Sequence, residues 1–163
     1  MEQHRKAAPA SVRCFVLTIS DTRTEADDIS GDAIAALLTA ADHVLTGRAI
    51  IKDDPAAVEA AVREHATGAQ ALITTGGTGI TSRDNTYDAI TRLLEKRLDG
   101  FGELFRALSY QEIGSAAMLT RACAGTMGRT AIFSLPGSEH AVRLAMTKLI
   151  LPEIGHVVRE LNR

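Results

Sequence analysis

The residues with the clearest chemical potential lie in one segment, Thr74 to Asp88, which reads TTGGTGITSRDNTYD. Because Gly76, Gly77 and Gly79 lack a β-carbon, the backbone can approach a ligand closely, and successive N–H groups can form a concavity that binds an anion. No Gly-Lys-Ser/Thr follows, as a Walker A motif requires, and the third glycine of the dinucleotide fingerprint is absent. The pattern alone leaves two alternatives open, a phosphate-binding loop or a tight turn between a strand and a helix.

Two aspartates are the candidate carboxylates for this chemistry. Asp54 stands just before a proline, which is typical of a helix N-cap, so its neighbour Asp53 is the carboxylate without an evident structural role. Asp84 lies five residues after the last glycine of the loop. It could cap the helix that follows, or it could hold a ligand, and the two roles are compatible.

Strand and helix patterns alternate along the chain and must position these residues. Short apolar runs predict strands at Val12–Ile19, His43–Ile51, Gln70–Thr74 and around Arg129–Leu135. Helical stripes lie between and after them, and Pro152 is predicted to interrupt the last helix. This alternation predicts a three-layer α/β/α fold, with an open, mostly parallel sheet and helices on both faces.

Three polar turns follow predicted strands, and parallel strands place their carboxyl ends at one edge of a sheet, where ligands bind. We therefore expect these turns to converge, although Ser138 could also serve as the N-cap of the next helix. The turns are Ser20-Asp21, Thr75-Gly76-Gly77-Thr78-Gly79 and Pro136-Gly137-Ser138.

Composition excludes several classes of partner. The 18 basic residues nearly cancel the 20 acidic ones among 163 residues, and no block of like charge occurs. Nucleic acid is therefore not an expected partner, because binding to its phosphate backbone needs a basic patch. No apolar stretch reaches the length of a membrane span. The expected ligand is a small molecule.

The chain length predicts one domain, residues 11–163, preceded by a flexible tail, residues 1–10, which is polar and rich in alanine and proline. Cys14 and Cys123 stand far apart, without the spacing of a zinc site. Both are expected to be inert thiols. The N-terminus lacks the apolar run of a signal peptide, so the expected location is the cytoplasm.

Several motifs of the chain together resemble a known family, the MoaB/Mog molybdopterin-binding proteins of molybdenum cofactor biosynthesis. The resemblance begins with TTGGTG and the acidic residue of SRDNTYDAI. It continues through FRALSYQEIGSAAMLTRACAG, FSLPGS and LILPEIGH, and it includes the early SD and SG pairs. These motifs cover the chain from about Val12 to its end. The sequence around SYQEIGSAAMLTRA most resembles the MoaB branch of the family.

The resemblance implies roles for individual positions. Gly76, Gly77, Thr78 and Gly79 match the loop that holds the terminal phosphate of molybdopterin, with Thr75 and Ser138 as nearby hydroxyl donors. Asp53 and Asp84 match two essential acidic positions, at which Mg²⁺ would be held. The sequence departs from the family pattern at Lys52 and Tyr87, which stand where prolines are common in the family.

The resemblance also implies a reaction, in which the terminal phosphate of molybdopterin attacks the α-phosphorus of ATP. The products are adenylylated molybdopterin and pyrophosphate. The implied assembly is a homo-oligomer, a trimer or a hexamer, and other molybdenum cofactor biosynthesis proteins are possible partners. Two alternatives remain: a paralogue that binds or carries molybdopterin without adenylyl transfer, and an unrelated nucleotide-binding α/β domain.

Overall fold

The computed structural model describes residues 7–163, so residues 1–6 of the predicted tail lie outside the described residues. Within residues 7–163, six strands form one sheet in the order β2-β1-β3-β6-β5-β4. The strands are β1 (Arg13–Ile19), β2 (Val44–Ile51), β3 (Ala71–Thr75), β4 (Lys96–Arg97), β5 (Cys123–Met127) and β6 (Thr130–Leu135). Strands β2, β1, β3 and β6 are parallel, whereas β5 and β4 pair antiparallel at one edge.

The helices cover both faces of the sheet. They are α1 (Ile29–Ala40), α2 (Pro55–Ala66), α3 (Thr86–Leu93), α4 (Asp99–Ile113), α5 (Glu139–Ala145) and α6 (Leu151–Leu161), with a 3₁₀ helix at Gly114–Leu119. Side chains alternate along β1, so that Val16 belongs to the core cluster that includes residues of α1, α4, α5 and α6, while Leu17 belongs to the cluster that includes residues of α2 and α3. The predicted three-layer α/β/α arrangement is confirmed.

The structure differs from the sequence patterns near the end of the chain. Pro152 does not interrupt the last helix, because a π-helical turn at Met146–Ile150 joins α5 to α6. In that turn the N–H of Leu151 donates to the carbonyl of Met146. The wider turn gives room to the proline ring, which lacks an N–H for a regular helical bond. Over the part of the chain described, no helix is both long and apolar enough to span a bilayer.

Candidate functional site

The glycine loop, residues Gly76–Gly79, leaves the end of β3 and passes the ends of β1 and β6. Gly76 has a φ of +105°, and its N–H donates to the carbonyl of Leu135 at 2.9 Å. A β-carbon at position 76 would lie 2.1 Å from the carbonyl oxygen of Ile19. Glycine is required here, because other residues rarely adopt this φ and backbone atoms fill the space. The tight-turn alternative is therefore correct for Gly76, and it does not compete with ligand binding.

The two candidate carboxylates lie against the next glycines of the loop. A β-carbon at Gly77 would lie 2.6 Å from Oδ2 of Asp53, and one at Gly79 would lie 2.8 Å from Oδ2 of Asp84. The absence of β-carbons therefore allows both carboxylates to pack directly on the loop backbone. The structure brings together the two acids and the glycine loop, although they come from different parts of the chain.

Asp53 is buried, with 6% of its surface exposed. Its carboxylate accepts hydrogen bonds from the N–H of Asn85, at 3.3 and 3.4 Å, and from the hydroxyl of Thr86, at 3.4 Å. Burial raises the pKa of Asp53, and the charges of Asp84 and Asp21 raise it further, whereas these hydrogen bonds lower it. The ionised carboxylate thus lacks full compensation from the protein, a setting that favours a bound cation.

The predicted role of the neighbouring Asp54 as a helix N-cap is confirmed. Its side chain accepts a hydrogen bond from the N–H of Ala57 at 2.9 Å at the start of α2. The capping alternative for Asp84 is wrong. Asn85 is the N-cap of α3, and the Asp84 carboxylate instead accepts hydrogen bonds from the N–H and hydroxyl of Thr81, at 2.9 and 2.6 Å. Burial would raise the pKa of Asp84, but the Thr81 bonds hold it below its ordinary value.

The Ser20-Asp21 turn connects with both acidic positions. Oδ1 of Asp21 accepts the N–H of Asp53 at 3.1 Å, and Oδ2 accepts Nε and Nη2 of Arg83 at 3.0 and 2.7 Å. The bonds from Arg83 hold the pKa of Asp21 below its ordinary value. The hydroxyl oxygen of Ser20 accepts two N–H groups of its own turn, so its proton is free to be donated to a ligand.

The third turn joins the same edge through two hydroxyl donors. Thr75 donates to the carbonyl of Pro136 at 2.8 Å, and Ser30 donates to the carbonyl of Gly137 at 2.5 Å. Ser138 caps α5, as its structural alternative predicts, by accepting a backbone N–H. The predicted convergence of the three turns is therefore confirmed. The protons of the Thr75 and Ser30 hydroxyls are already engaged within the protein.

A cleft of about 150 Å³ opens among these turns, and its lining contains two charged residues to which the sequence patterns assign no role. Asp28 is buried and accepts hydrogen bonds from the hydroxyl of Thr18, at 2.7 Å, and from Arg48, at 3.0 Å. Arg23 donates to the carbonyl of Asp27 and contributes positive charge. The cleft is lined by Thr18, Ile19, Ser20, Arg23, Asp28, Ser30, Thr75, Gly76 and Gly137.

The far end of the glycine loop is bound by the chain that leads into β5. The hydroxyl oxygens of Thr78 and Thr120 are 3.4 Å apart, and Nε of Arg121 donates to the carbonyl of Gly79 at 3.0 Å. Arg121 also has no role in the sequence patterns. Its contact with Gly79 spans 42 residues of sequence, so no local spacing could have revealed it.

The protein alone offers an incomplete set of metal ligands. Across residues 7–163, no group of three or more His, Cys, Asp or Glu side chains is placed to hold a metal ion. Asp53 and Asp84 supply hard oxygen donors beside a loop that is suited to phosphate. Magnesium ions in nucleotide sites are commonly held by one or two carboxylates together with phosphate oxygens. The residues therefore fit Mg²⁺ provided that substrate phosphates complete its coordination.

Comparisons with known proteins agree with this architecture. A family model described as "Probable molybdopterin binding domain" matches residues 15–156. The molybdenum cofactor biosynthesis protein B of Bacillus cereus is 53% identical, over 99% of this chain and 97% of that relative. A crystal structure of a molybdenum cofactor biosynthesis protein B has a TM-score of 0.91 at 54% identity and covers 96% of this chain and 99% of its own. The tungsten cofactor synthesizing protein MoaB from Pyrococcus furiosus has a TM-score of 0.87 at 39% identity, covering 96% and 100% of the respective chains. The chain therefore belongs to the MoaB/Mog family of molybdenum cofactor biosynthesis proteins.

Proposed function

We propose that this protein binds molybdopterin at the glycine loop and adenylylates its terminal phosphate with ATP and Mg²⁺. The observation that carries the proposal is the packing of two carboxylates from separate parts of the chain, Asp53 and Asp84, against the backbone of Gly77 and Gly79. Carboxylates beside an anion-binding loop are unfavourable for phosphate alone. They become favourable when a divalent cation lies between them and the phosphate.

The reaction needs positioning more than acid–base chemistry. A terminal phosphate oxygen of molybdopterin forms a bond to the α-phosphorus of ATP, and the bond from that phosphorus to the oxygen bridging to the β-phosphate breaks, releasing pyrophosphate. The nucleophile is a phosphate monoester that is largely ionised at neutral pH, so no side chain has to remove a proton. Asp53 and Asp84 are therefore assigned to holding Mg²⁺, which would neutralise phosphate charge when bound.

The remaining residues of the edge bind and orient the substrates in this proposal. The N–H groups of the glycine loop hold the terminal phosphate, and the hydroxyl of Ser20 can donate to it. Arg23 brings positive charge to the lining of the cleft. The turn at Pro136-Gly137-Ser138 shapes the opposite wall. Asp21 keeps the backbone of Asp53 in place through its 3.1 Å hydrogen bond.

The test is product formation by wild-type protein, Asp53→Asn and Asp84→Asn at saturating molybdopterin, ATP and Mg²⁺. Asparagine keeps the size of the side chain but loses the charge that attracts Mg²⁺, so turnover should fall at least a hundredfold in either variant, with molybdopterin affinity less affected. Asp54→Asn serves as the matched control, because Asp54 caps α2 and asparagine caps equally well.

Each outcome of this assay has a definite meaning. Wild-type protein that binds molybdopterin but makes no adenylylated product would contradict the enzymatic proposal and support the alternative of a molybdopterin carrier. Equal turnover in all the variants would support the reaction and refute the assignment of Asp53 and Asp84.

We also propose that the protein acts as a homo-oligomer, a trimer or a hexamer, in the cytoplasm, together with other proteins of cofactor biosynthesis. Support for self-association comes from exposed apolar side chains around the end of α4 and the 3₁₀ helix that follows it. Sedimentation equilibrium at micromolar concentration should detect no stable monomer, and a stable monomer would refute this assembly. The exposed side chains are Leu104, Tyr110, Ile113, Met118 and Leu119, each at least 50% exposed.

A further inference from the structure

Arg121 makes an unusual set of contacts for an arginine outside the cleft. Its backbone N–H donates to the carbonyl of Thr78 at 2.8 Å. In its guanidinium group, Nε donates to the carbonyl of Gly79 at 3.0 Å, and Nη2 donates to the carbonyl of Asp84 at 2.9 Å. Nη1 lies 3.1 Å from a carboxylate oxygen of Asp88 in α3. The side chain thus joins both ends of the segment 79–84 to the first turns of a helix.

Packing and charge both restrict the guanidinium. Its central carbon lies 4.8 Å from the centroid of the Tyr87 ring, a distance at which a cation is attracted to the face of an aromatic ring. The side chain is 29% exposed, so solvent reaches only part of it. The residue itself precedes β5 by two positions and is therefore held by the edge of the sheet.

Just past the segment 79–84, the N–H of Asn85 donates to Asp53, but the bonds within the segment, apart from those of Arg121, are mostly local. Asp84 binds back to Thr81 through its N–H and its carboxylate, which shapes the turn but does not attach it to the domain. Arg83 reaches Asp21 across a largely exposed ion pair, a type that contributes little to stability. The hydrogen bonds from Arg121 to the carbonyls of Gly79 and Asp84 are charge-assisted and partly buried, and they are correspondingly stronger.

We propose that Arg121 is a positioning residue, whose guanidinium fixes the two ends of the segment 79–84 and thereby sets the Asp84 carboxylate against the glycine loop. This role rests on the proposed function, in which Asp84 helps to hold Mg²⁺. In this role Arg121 acts through the backbone carbonyls of Gly79 and Asp84. The planar fork matters more than the charge, because two carbonyls that belong to different residues each receive a separate N–H.

The fork predicts that lysine cannot replace arginine at this position. Lysine keeps the positive charge, but its single ammonium group cannot reproduce the separated Nε and Nη2 donors. We therefore expect Arg121→Lys to behave like Arg121→Ala and unlike the wild type. The matched control is Arg106→Lys. Arg106 donates at 3.1 Å to the carbonyl of Ala122, the residue after Arg121, and none of its described hydrogen bonds reaches the segment.

Two measurements on the full chain test the proposal. Hydrogen exchange followed by mass spectrometry should show amides of residues 79–85 exchanging at least tenfold faster in Arg121→Lys and Arg121→Ala, with peptides from β1 and β6 unchanged. At saturating molybdopterin, ATP and Mg²⁺, kcat should fall at least tenfold in both variants. Arg106→Lys should stay within twofold of the wild type in both measurements.

Unchanged exchange of residues 79–85 in Arg121→Ala would overturn the proposal, as would wild-type exchange and turnover in Arg121→Lys, because charge alone would then suffice. Faster exchange over the whole chain would also overturn it, since Arg121 would then be a general stabilising residue. Wild-type protein without any product would refute the proposed function, and the exchange measurement alone would then decide whether Arg121 holds the segment.

Discussion

Replacing Gly77 by alanine should destabilise the protein by about 2–5 kcal/mol. Gly77 has a φ of +70°, and a residue with a β-carbon loses about 1–2 kcal/mol in this left-handed region. The new β-carbon would also lie 2.0 Å from the hydroxyl oxygen of Thr86 and 2.6 Å from Oδ2 of Asp53. Thr86 is fully buried, so it cannot simply turn away, and such overpacking costs about 1–3 kcal/mol more. Bulkier residues at this position should therefore disturb the fold as well as the ligand site.

Gly114→Ala is the matched control for this prediction. Gly114 has a φ of +66°, and nothing lies within 4 Å of a β-carbon added there. Both variants share a positive φ at the substituted residue and the lower entropy of the unfolded chain, so a larger loss of stability in Gly77→Ala points to the contact with Thr86 and Asp53. Urea unfolding at one fixed protein concentration should give a free energy of unfolding about 1–3 kcal/mol lower for Gly77→Ala than for Gly114→Ala. Free energies that agree within about 0.5 kcal/mol, the usual effect of a neutral substitution, would refute the reasoning.

Three further predictions concern acidic and thiol side chains. Because burial raises the pKa of Asp53, its contribution to stability is greatest in acid and is lost as the pH rises through that raised pKa. Asp53→Asn should therefore melt at a higher temperature than the wild type at pH 7 but show less advantage at pH 4, and calorimetry giving a lower melting temperature at pH 7 would contradict this. Asp54→Ala should cost about 1 kcal/mol through loss of the α2 cap while Asp54→Asn costs almost nothing; equal urea midpoints for the two variants would exclude the cap as the cause. Burial raises the pKa of Cys14 to about 12 and that of Cys123 to about 11. A thiol reagent at pH 8 should therefore modify both thiols slowly in the folded protein and rapidly in urea. Fast labelling of the folded protein would show instead that the thiols are accessible.

The parts of the fold that depend on local pattern could be predicted from the sequence. The apolar run of β1 and the Asp54-Pro55 start of α2 carry their own signals, and both are confirmed. Strand β4 is different, because its two residues, Lys96 and Arg97, are exposed and owe their conformation to pairing with β5. Local propensity contains no information about such a partner.

The candidate site shows the same division. The glycine loop and the acids near it could be identified from residue types, spacing and the family resemblance. Arg121 could not, because its partners Gly79 and Asp84 lie 42 and 37 residues away and its contacts are with backbone carbonyls that any residue would provide. The capping alternative for Asp84 was wrong by one residue, since Asn85 occupies the N-cap position of α3. Asn85 makes no side-chain capping bond, so the start of this helix carries no capping signal that the sequence could reveal.

The pairing of β3 with β6 has a consequence for how the protein acquires its site during synthesis. Thr75 at the end of β3 bonds to Pro136, 61 residues further along the chain, and Gly76 bonds to Leu135 of β6. Contacts between residues so far apart in sequence slow folding, because the chain loses the entropy of closing a long loop before the stabilising contact forms. On the ribosome, β1, β2 and β3 emerge early and can pair with one another, whereas β6 emerges only after α4 and β5. A nascent chain from which β6 has not yet emerged therefore already contains the whole glycine loop. It still lacks the Pro136-Gly137-Ser138 turn, which forms the opposite side of the candidate site.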